Sequence, residues 1–178
     1  VFGVGKDVKF GTEKFVLYSK MYLRIYEELL WKRIHVVGVP KIYEIARDFR
    51  NEGSDTTHNP ECTSVEFYEA YSDADKQMAC VENIFKTLVE KIHSKSEITY
   101  NEQTVKFSNA FEVVSYYDLI KKYGDIDAES VDRGDLEKHA LKAGVQIGKE
   151  DSKAKLLDGI YKKLCRPQLI QPTFIIDY

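Results

Sequence analysis

The sequence FRNEGSDTTHNPECTSVEFYEAY, residues 49–71, consists of two strand-like runs joined by a polar connection at 53–60. Because side chains alternate between the two faces of a strand, Arg50 and Glu52 share one side of the first run. In the second run, Cys62, Glu66 and Tyr68 share a side. An antiparallel hairpin of the two runs therefore predicts one polar face suited to a polar ligand. A hairpin with one merely solvated face is the alternative, since such faces are common in antiparallel sheets.

The other face of the same hairpin is predicted to be apolar and to meet a core. Its members are Ile45, Phe49, Val65, Phe67 and Tyr71. If that face is covered, the polar side chains must all lie together on the open side.

Size and composition indicate one globular domain over residues 1–178, with a more polar and peripheral helical region around 125–152. The chain is 43% hydrophobic and 31% charged, and 26 basic against 29 acidic residues give a net charge of −3. Such a balance provides no overall electrostatic argument for nucleic acid. No apolar run is long enough to span a bilayer, so no membrane partner is expected. Three widely spaced cysteines are typical of a reducing, cytoplasmic setting.

Periodicity and turn residues predict a mixture of helices and strands in no strict alternation. Helices are predicted at 27–37, 72–95, 115–124, 133–143 and 152–164, with capping residues at Ser72, Ser115 and Asp132. Strands are predicted at 14–20, 21–25, 98–108, 111–114 and 169–178, the third of these as a hairpin turning at Asn101 and Glu102. Neighbouring pairings look antiparallel, which favours an α+β fold with a central antiparallel sheet flanked by helices.

Several polar residues of the hairpin are candidates for binding or catalysis. Arg50 could stabilise negative charge developing in a transition state. His58 could hold phosphate oxygens, and a surface turn histidine is the simpler alternative. The carboxylates of Glu28, Glu52 and Glu66 could accept hydrogen bonds from a base or an amine.

Other chemistries find less support in the residues. Cys62 and His58 could form a nucleophile and base pair across the turn, but no third group is present to orient them. The four histidines and three cysteines show no ligand spacing, so no metal site is expected within this chain.

An ordered set of residues in this region resembles the second signature motif of class II aminoacyl-tRNA synthetases. It reads FRNEG at 49–53, HNPE at 58–61, Thr63, EFYEAY at 66–71 and Asp73. Within that class the chain is most similar to lysyl-tRNA synthetases. The flanking stretches YLRI at 22–25, YEI at 43–45 and IQPTFI at 170–175 agree. The resemblance covers most of the chain and is weakest over residues 1–14 and 125–152.

The resemblance implies a fold and a reaction. The fold is a partial class II catalytic core, with ATP and amino acid on the open face of its antiparallel sheet. The reaction is activation of L-lysine by ATP to lysyl-adenylate, followed by transfer to tRNA(Lys). The full-length protein is expected to be a cytoplasmic homodimer, with Mg²⁺ held by residues outside this chain.

The resemblance also implies roles for individual residues by their motif positions. Arg50 would hold the α-phosphate of ATP and the lysine carboxylate, Glu52 the adenine amino group and His58 the outer phosphates. Glu28 would bind the α-amino group of lysine, and Glu66 with Tyr68 would help to form its side-chain pocket.

Some features depart from the family pattern. Cys62 stands where the family has an aromatic residue that stacks on adenine, and Tyr26-Glu27 stands where the family has Ala-Pro. Neither the first motif nor the third is found. A truncated catalytic domain is therefore expected, and this piece alone could be inactive. A non-catalytic relative or fragment that binds a nucleotide, an amino acid or a protein partner is the alternative.

Overall fold

Strands β1 (Lys41–Phe49) and β2 (Glu61–Glu69) form the predicted hairpin in a computed structural model that describes residues 23–51, 53–54, 58–148 and 150–178. The strands pair antiparallel along their whole length, from Lys41 opposite Glu69 to Phe49 opposite Glu61. The chain divides into two compact units, Val1–Ser72 and Asp73–Tyr178. The strand predicted at 14–20 lies outside the described residues, and the described residues 23–25 are not in a strand.

Helix α1 (Glu28–Val36) precedes the hairpin in the first unit and confirms the helix predicted at 27–37. Gly38 follows it with φ +105°, a left-handed conformation that glycine adopts without steric cost. Helix α1 and the residues before it lie over the polar face of the hairpin. The ring centroids of His35 and Tyr68 are 6.3 Å apart, and the Arg24 guanidinium donates a hydrogen bond to the Glu44 carboxylate.

Burial of the two hairpin faces is the reverse of the expected arrangement. Directly opposed residues share a face, and the face with Asp48 and Ala46 is the buried one. On the other face Tyr43, Ile45 and Val65 are 74%, 68% and 61% exposed. The prediction that this apolar face meets a core is therefore wrong for the described part of the first unit. The physical reason is that α1 covers the polar side.

The second unit contains the remaining helices and strands. Its helices are α2 (Ala74–His93), α3 (Tyr116–Gly124), α4 (Arg133–Lys142) and α5 (Lys153–Ile160). Its strands are β3 (Glu97–Tyr100), β4 (Gln103–Lys106), β5 (Glu112–Ser115) and β6 (Thr173–Ile176). After α5 the chain continues through a π-helical segment, Tyr161–Cys165, and a short 3₁₀ helix, Arg166–Gln168. Every helix in the described residues is too short or too polar to cross a membrane.

Side-chain caps begin the helices of this unit. Ser115, Asp132 and Ser152 each accept a hydrogen bond from a backbone N–H in the first turn, which satisfies a donor that the helix itself leaves open. For α2 the cap is Asp73, whose carboxylate accepts from the Lys76 N–H at 3.0 Å. The prediction of Ser72 was therefore one residue early, because Asp73 is the last residue with extended backbone.

The described strands form three two-stranded sheets. The β3–β4 hairpin is antiparallel and turns at Asn101 and Glu102, both with positive φ, as predicted. Strands β5 and β6 pair in parallel, which the sequence did not indicate. The α+β class is confirmed, while the described strands do not join into one central sheet.

The core of the second unit is a cluster of aliphatic and aromatic side chains between helices. Ile120, Leu136, Ala140, Ile160 and Cys165 are completely inaccessible to solvent. Two of these residues come from α4, so the segment 125–152 is more deeply buried than its polar composition indicates. A narrow stripe of two small or medium apolar residues is enough to anchor a short helix.

Candidate active site

The polar face of the hairpin brings together residues that the alternation pattern assigned to it. Glu66 lies opposite Glu44, Tyr68 opposite Ile42 and Cys62 opposite Asp48, as their shared face requires. The Tyr68 hydroxyl donates a hydrogen bond of 2.5 Å to the Glu66 carboxylate. This pair places a fixed acid and an oriented phenol beside each other on a half-buried surface.

Tyr68 keeps its proton throughout the physiological range. Burial raises the pKa of its phenol most, followed by the hydrogen bond to Glu66 and the negative charges of Glu66, Glu28 and Glu27. The phenol therefore remains a hydrogen-bond donor and does not become an anion. The same causes place Glu28, in the first turn of α1, within electrostatic reach of the Glu66–Tyr68 pair.

Glu28 itself is half exposed and forms an ion pair with Lys32, one helical turn further along α1. A surface pair of this kind contributes little stability, so Glu28 is available to exchange its partner for a ligand. Its carboxylate is one of several on this side of the first unit.

Arg50 lies at the end of the hairpin, next to the polar connection. Its backbone N–H donates to the Pro60 carbonyl at 2.9 Å, which extends the pairing of β1 and β2 by one residue. Its side chain is exposed, as are those of His58 and Cys62. Glu52 lies outside the described residues, so its predicted position next to Arg50 stays a prediction.

Two acidic residues that the sequence did not single out lie beneath this face. Glu27 and Asp48 are 3% and 1% exposed, far less than is usual for carboxylates. Burial raises the pKa of Glu27, and the neighbouring Asp48 carboxyl raises it further. Ser64 donates a hydrogen bond of 2.5 Å to one oxygen of Asp48.

The sequence pattern around Glu27 and Asp48 did not indicate that these two residues are buried. Glu27 stands at the start of the helix predicted at 27–37, where the macrodipole favours an acid. Alternation along β1 assigns Asp48 to the polar face, but the pattern does not show whether a residue on that face is buried. Only the position of α1 over the strands shows that both are buried.

Within the described residues, no group of three histidine, cysteine, aspartate or glutamate side chains is arranged to hold a metal ion.

Comparison with known proteins gives the class of protein to which this fold and site belong. The family model described as tRNA synthetases class II (D, K and N) matches residues 4–178, so the chain belongs to that family. The resemblance of the chain to class II aminoacyl-tRNA synthetases is thereby confirmed.

The chain is similar to individual relatives that are named lysine–tRNA ligases. The chain is 42% identical over 171 residues to a lysine–tRNA ligase of Aquifex aeolicus, covering 95% of this chain and 29% of that protein. It is 36% identical over 173 residues to a lysine–tRNA ligase of Clostridium kluyveri, covering 95% and 34%. A lysine–tRNA ligase of Mesomycoplasma hyopneumoniae is 38% identical over 163 residues, covering 91% and 33%. The chain spans about a third of the length of these relatives.

Proposed function

We propose that this chain is part of the catalytic domain of a lysine–tRNA ligase, which activates L-lysine with ATP and transfers it to tRNA(Lys). The observation that carries the proposal is the polar face of the hairpin, where Glu66 and Tyr68 are hydrogen-bonded at 2.5 Å. The relatives are named lysine–tRNA ligases, and an acidic pocket suits the ammonium groups of lysine, so both support lysine as the substrate.

The first step needs positioning and charge neutralisation more than acid–base chemistry. The lysine carboxylate attacks the α-phosphate of ATP, the bond to the β-phosphate breaks, and pyrophosphate leaves with its electron pair. Arg50 is proposed to bind the α-phosphate and the attacking carboxylate. Its exposed guanidinium at the end of the hairpin supports that role, because a fixed positive charge stabilises the extra negative charge of the transition state.

The remaining ATP contacts are proposed by motif position. Glu52 would accept a hydrogen bond from the adenine amino group, and His58 would contact the outer phosphates. Cys62 would lie against adenine, where its small side chain provides less stacking surface than an aromatic ring.

Recognition of lysine is proposed to depend on the acids of the first unit. Glu28 would bind the α-amino group, while Glu66 and Tyr68 would help to form the side-chain pocket. The phenol of Tyr68 orients the Glu66 carboxylate, so the charge that attracts an ammonium group is held in place before lysine binds.

Mg²⁺ normally accompanies ATP in such reactions, bound by one or two carboxylates together with the phosphates. The described residues provide no matching group of ligands. The family resemblance is the basis for assigning the magnesium ligands to parts of the full-length protein outside this chain.

The wider architecture follows from the same proposal. Both units would belong to one catalytic domain that includes residues 1–178 and whose strands join a central antiparallel sheet. The full-length protein would be a cytoplasmic homodimer.

Amino-acid-dependent exchange of pyrophosphate into ATP by the full-length protein tests the function. Exchange with lysine and not with aspartate or asparagine is the expected result. Exchange with aspartate or asparagine alone would overturn the substrate and leave the family intact. Exchange with none of the amino acids would identify a non-catalytic relative.

A further inference from the structure

Within the described residues, the buried acids Glu27 and Asp48 accept fewer hydrogen bonds than buried carboxylates normally do. The Glu27 side chain is 1% exposed, and neither of its oxygens accepts a bond from any N–H or O–H group of the described residues. One carboxylate oxygen of Asp48 likewise accepts no hydrogen bond from the described residues. Its other oxygen accepts a hydrogen bond from the Ser64 hydroxyl. Fully ionised, the pair would leave three buried oxygens without a donor, which is costly.

The described charges around Glu27 and Asp48 do not neutralise the two negative charges that the pair would carry if both carboxyls were ionised. Arg24 lies 3.5 Å from Glu27, but its guanidinium also bonds to Glu44 at 2.9 Å. Arg24, Glu66 and Tyr68 interact electrostatically with Glu27, and Arg24 also interacts with Asp48. Two further acids act on these neighbours: Glu44 on Arg24 and Glu28 on Tyr68. Among the described residues, one arginine therefore faces several acids.

We infer that Glu27 and Asp48 share one proton in the empty site and release it when the ammonium groups of lysine bind beside Glu28 and Glu66. The inference rests on the proposed function, which puts those ammonium groups at these two residues. In this arrangement Glu27 is a positioning residue: the pair it forms with Asp48 gains one negative charge when the positively charged lysine binds.

A shared proton reduces the number of buried oxygens that lack a hydrogen-bond partner. A protonated carboxyl has one O–H donor, and the neighbouring carboxylate accepts it, so two of the unpaired oxygens gain a partner. Two carboxyls close together cannot both ionise easily, which is the general cause of a raised pKa in such pairs. For Glu27, burial and Asp48 raise the pKa in this direction.

The direction of the pH dependence follows from linkage. An ammonium group near the pair favours its doubly ionised form, so lysine binding releases a proton and is weaker where that proton is tightly held. Lysine affinity then rises with pH, by at most tenfold per unit, until the pH passes the raised pKa of Glu27 in the empty protein. Above that pKa the affinity becomes independent of pH. The rise ends above the ordinary glutamate pKa of about 4.3, because the pKa of Glu27 in the protein without lysine is raised.

Calorimetric titration of lysine into the full-length protein, in two buffers of different ionisation enthalpy, measures the released proton. We expect close to one proton per lysine at a pH between the pKa of the pair in the lysine complex and its raised pKa in the protein without lysine. Glu27→Gln should release none, bind lysine about threefold to tenfold more weakly at high pH, and lose the pH dependence. Asp48→Asn should keep the dependence but move it to lower pH, because Glu27 then ionises beside a neutral amide. Glu137→Gln, which removes a surface carboxylate on α4, is the matched control and should behave as the wild type.

Infrared spectroscopy of the protein without lysine tests the shared proton independently of function. A protonated carboxyl band that persists above the ordinary glutamate pKa, and that is lost in Glu27→Gln, is the expected result. Lysine binding without proton release, or the absence of that band, would overturn the inference. A wild type that binds no lysine would overturn the proposed function, and the infrared band would then still decide whether the pair holds a proton.

Discussion

The two units of this chain bury opposite kinds of side chain. The second unit encloses aliphatic residues such as Ile120 and Leu136, which are completely inaccessible. The first unit encloses Glu27 and Asp48 and exposes Ile45. Burial of apolar surface stabilises a fold, whereas burial of acids costs stability unless charge or protons compensate. The second unit is thus stabilised by its packing, whereas the buried acids of the first unit require compensation by charge or protons.

The largest effect on stability is expected in the second unit. Ile120→Ala removes a fully buried side chain between helices and leaves a cavity, so the free energy of unfolding should fall by about 2–5 kcal/mol. Denaturant unfolding measures it. Ile92→Ala makes the same chemical change at a side chain that is 69% exposed on α2, and should change stability by about 0.5 kcal/mol or less. Equal losses in the two variants would contradict the position of the core.

The largest effect on activity is expected in the first unit. Arg50→Ala should lower kcat/KM for lysine activation by about 10²–10³-fold, because a charge that stabilises the transition state is lost. Unfolding should be unchanged, since the side chain is exposed. Arg133→Ala removes a surface arginine that pairs with Glu137 at 2.8 Å, and serves as the control. Wholesale unfolding of Arg50→Ala would show that Arg50 is structural.

The cysteines allow the two units to be compared in one experiment. Cys62 is exposed on the hairpin, whereas Cys165 is buried and burial raises the pKa of its thiol to about 11. At pH 8, iodoacetamide should modify Cys62 and leave Cys165 in the native protein unmodified, because the thiolate is the reactive form. Saturating ATP should slow the modification of Cys62 about tenfold. Peptide mass spectrometry measures both rates, and an absence of protection by ATP would remove Cys62 from the adenine site.

A smaller effect is expected from the phenol of the candidate site. Tyr68→Phe deletes the donor to Glu66 and should raise the KM for lysine about fivefold to tenfold, with a lesser change in kcat. Tyr43→Phe is the matched control, because Tyr43 lies on the other face and is 74% exposed. Steady-state exchange kinetics distinguish the two variants. An unchanged KM in Tyr68→Phe would show that the phenol does not orient the lysine pocket.

Local signals in the sequence predicted much of the fold correctly. The hairpin at 49–71, its polar face and the turn at Asn101 and Glu102 depend on residues close in sequence. The start of α4 at Asp132 is another case, since a capping carboxylate acts within one helical turn. The error at Ser72 was a single residue, because Ser72 and Asp73 are both good caps.

Features that depend on distant residues were not predictable in this way. The parallel pairing of β5 with β6 joins segments about sixty residues apart, and no local pattern specifies it. The reversed burial of the hairpin also depends on another element, since α1 covers the polar side. Alternation along a strand distinguishes its two faces and does not show which one is covered.

The sequence by itself determined the family, the hairpin, the helix caps and the set of polar residues that are candidates for binding ATP and lysine. These features follow from short-range chemistry and from an ordered motif. The tertiary structure alone decided that Tyr68 orients Glu66 and that Glu27 and Asp48 lie buried together. Depth, hydrogen-bond partners and the pKa of an acid depend on the elements packed around it, which a linear pattern does not contain.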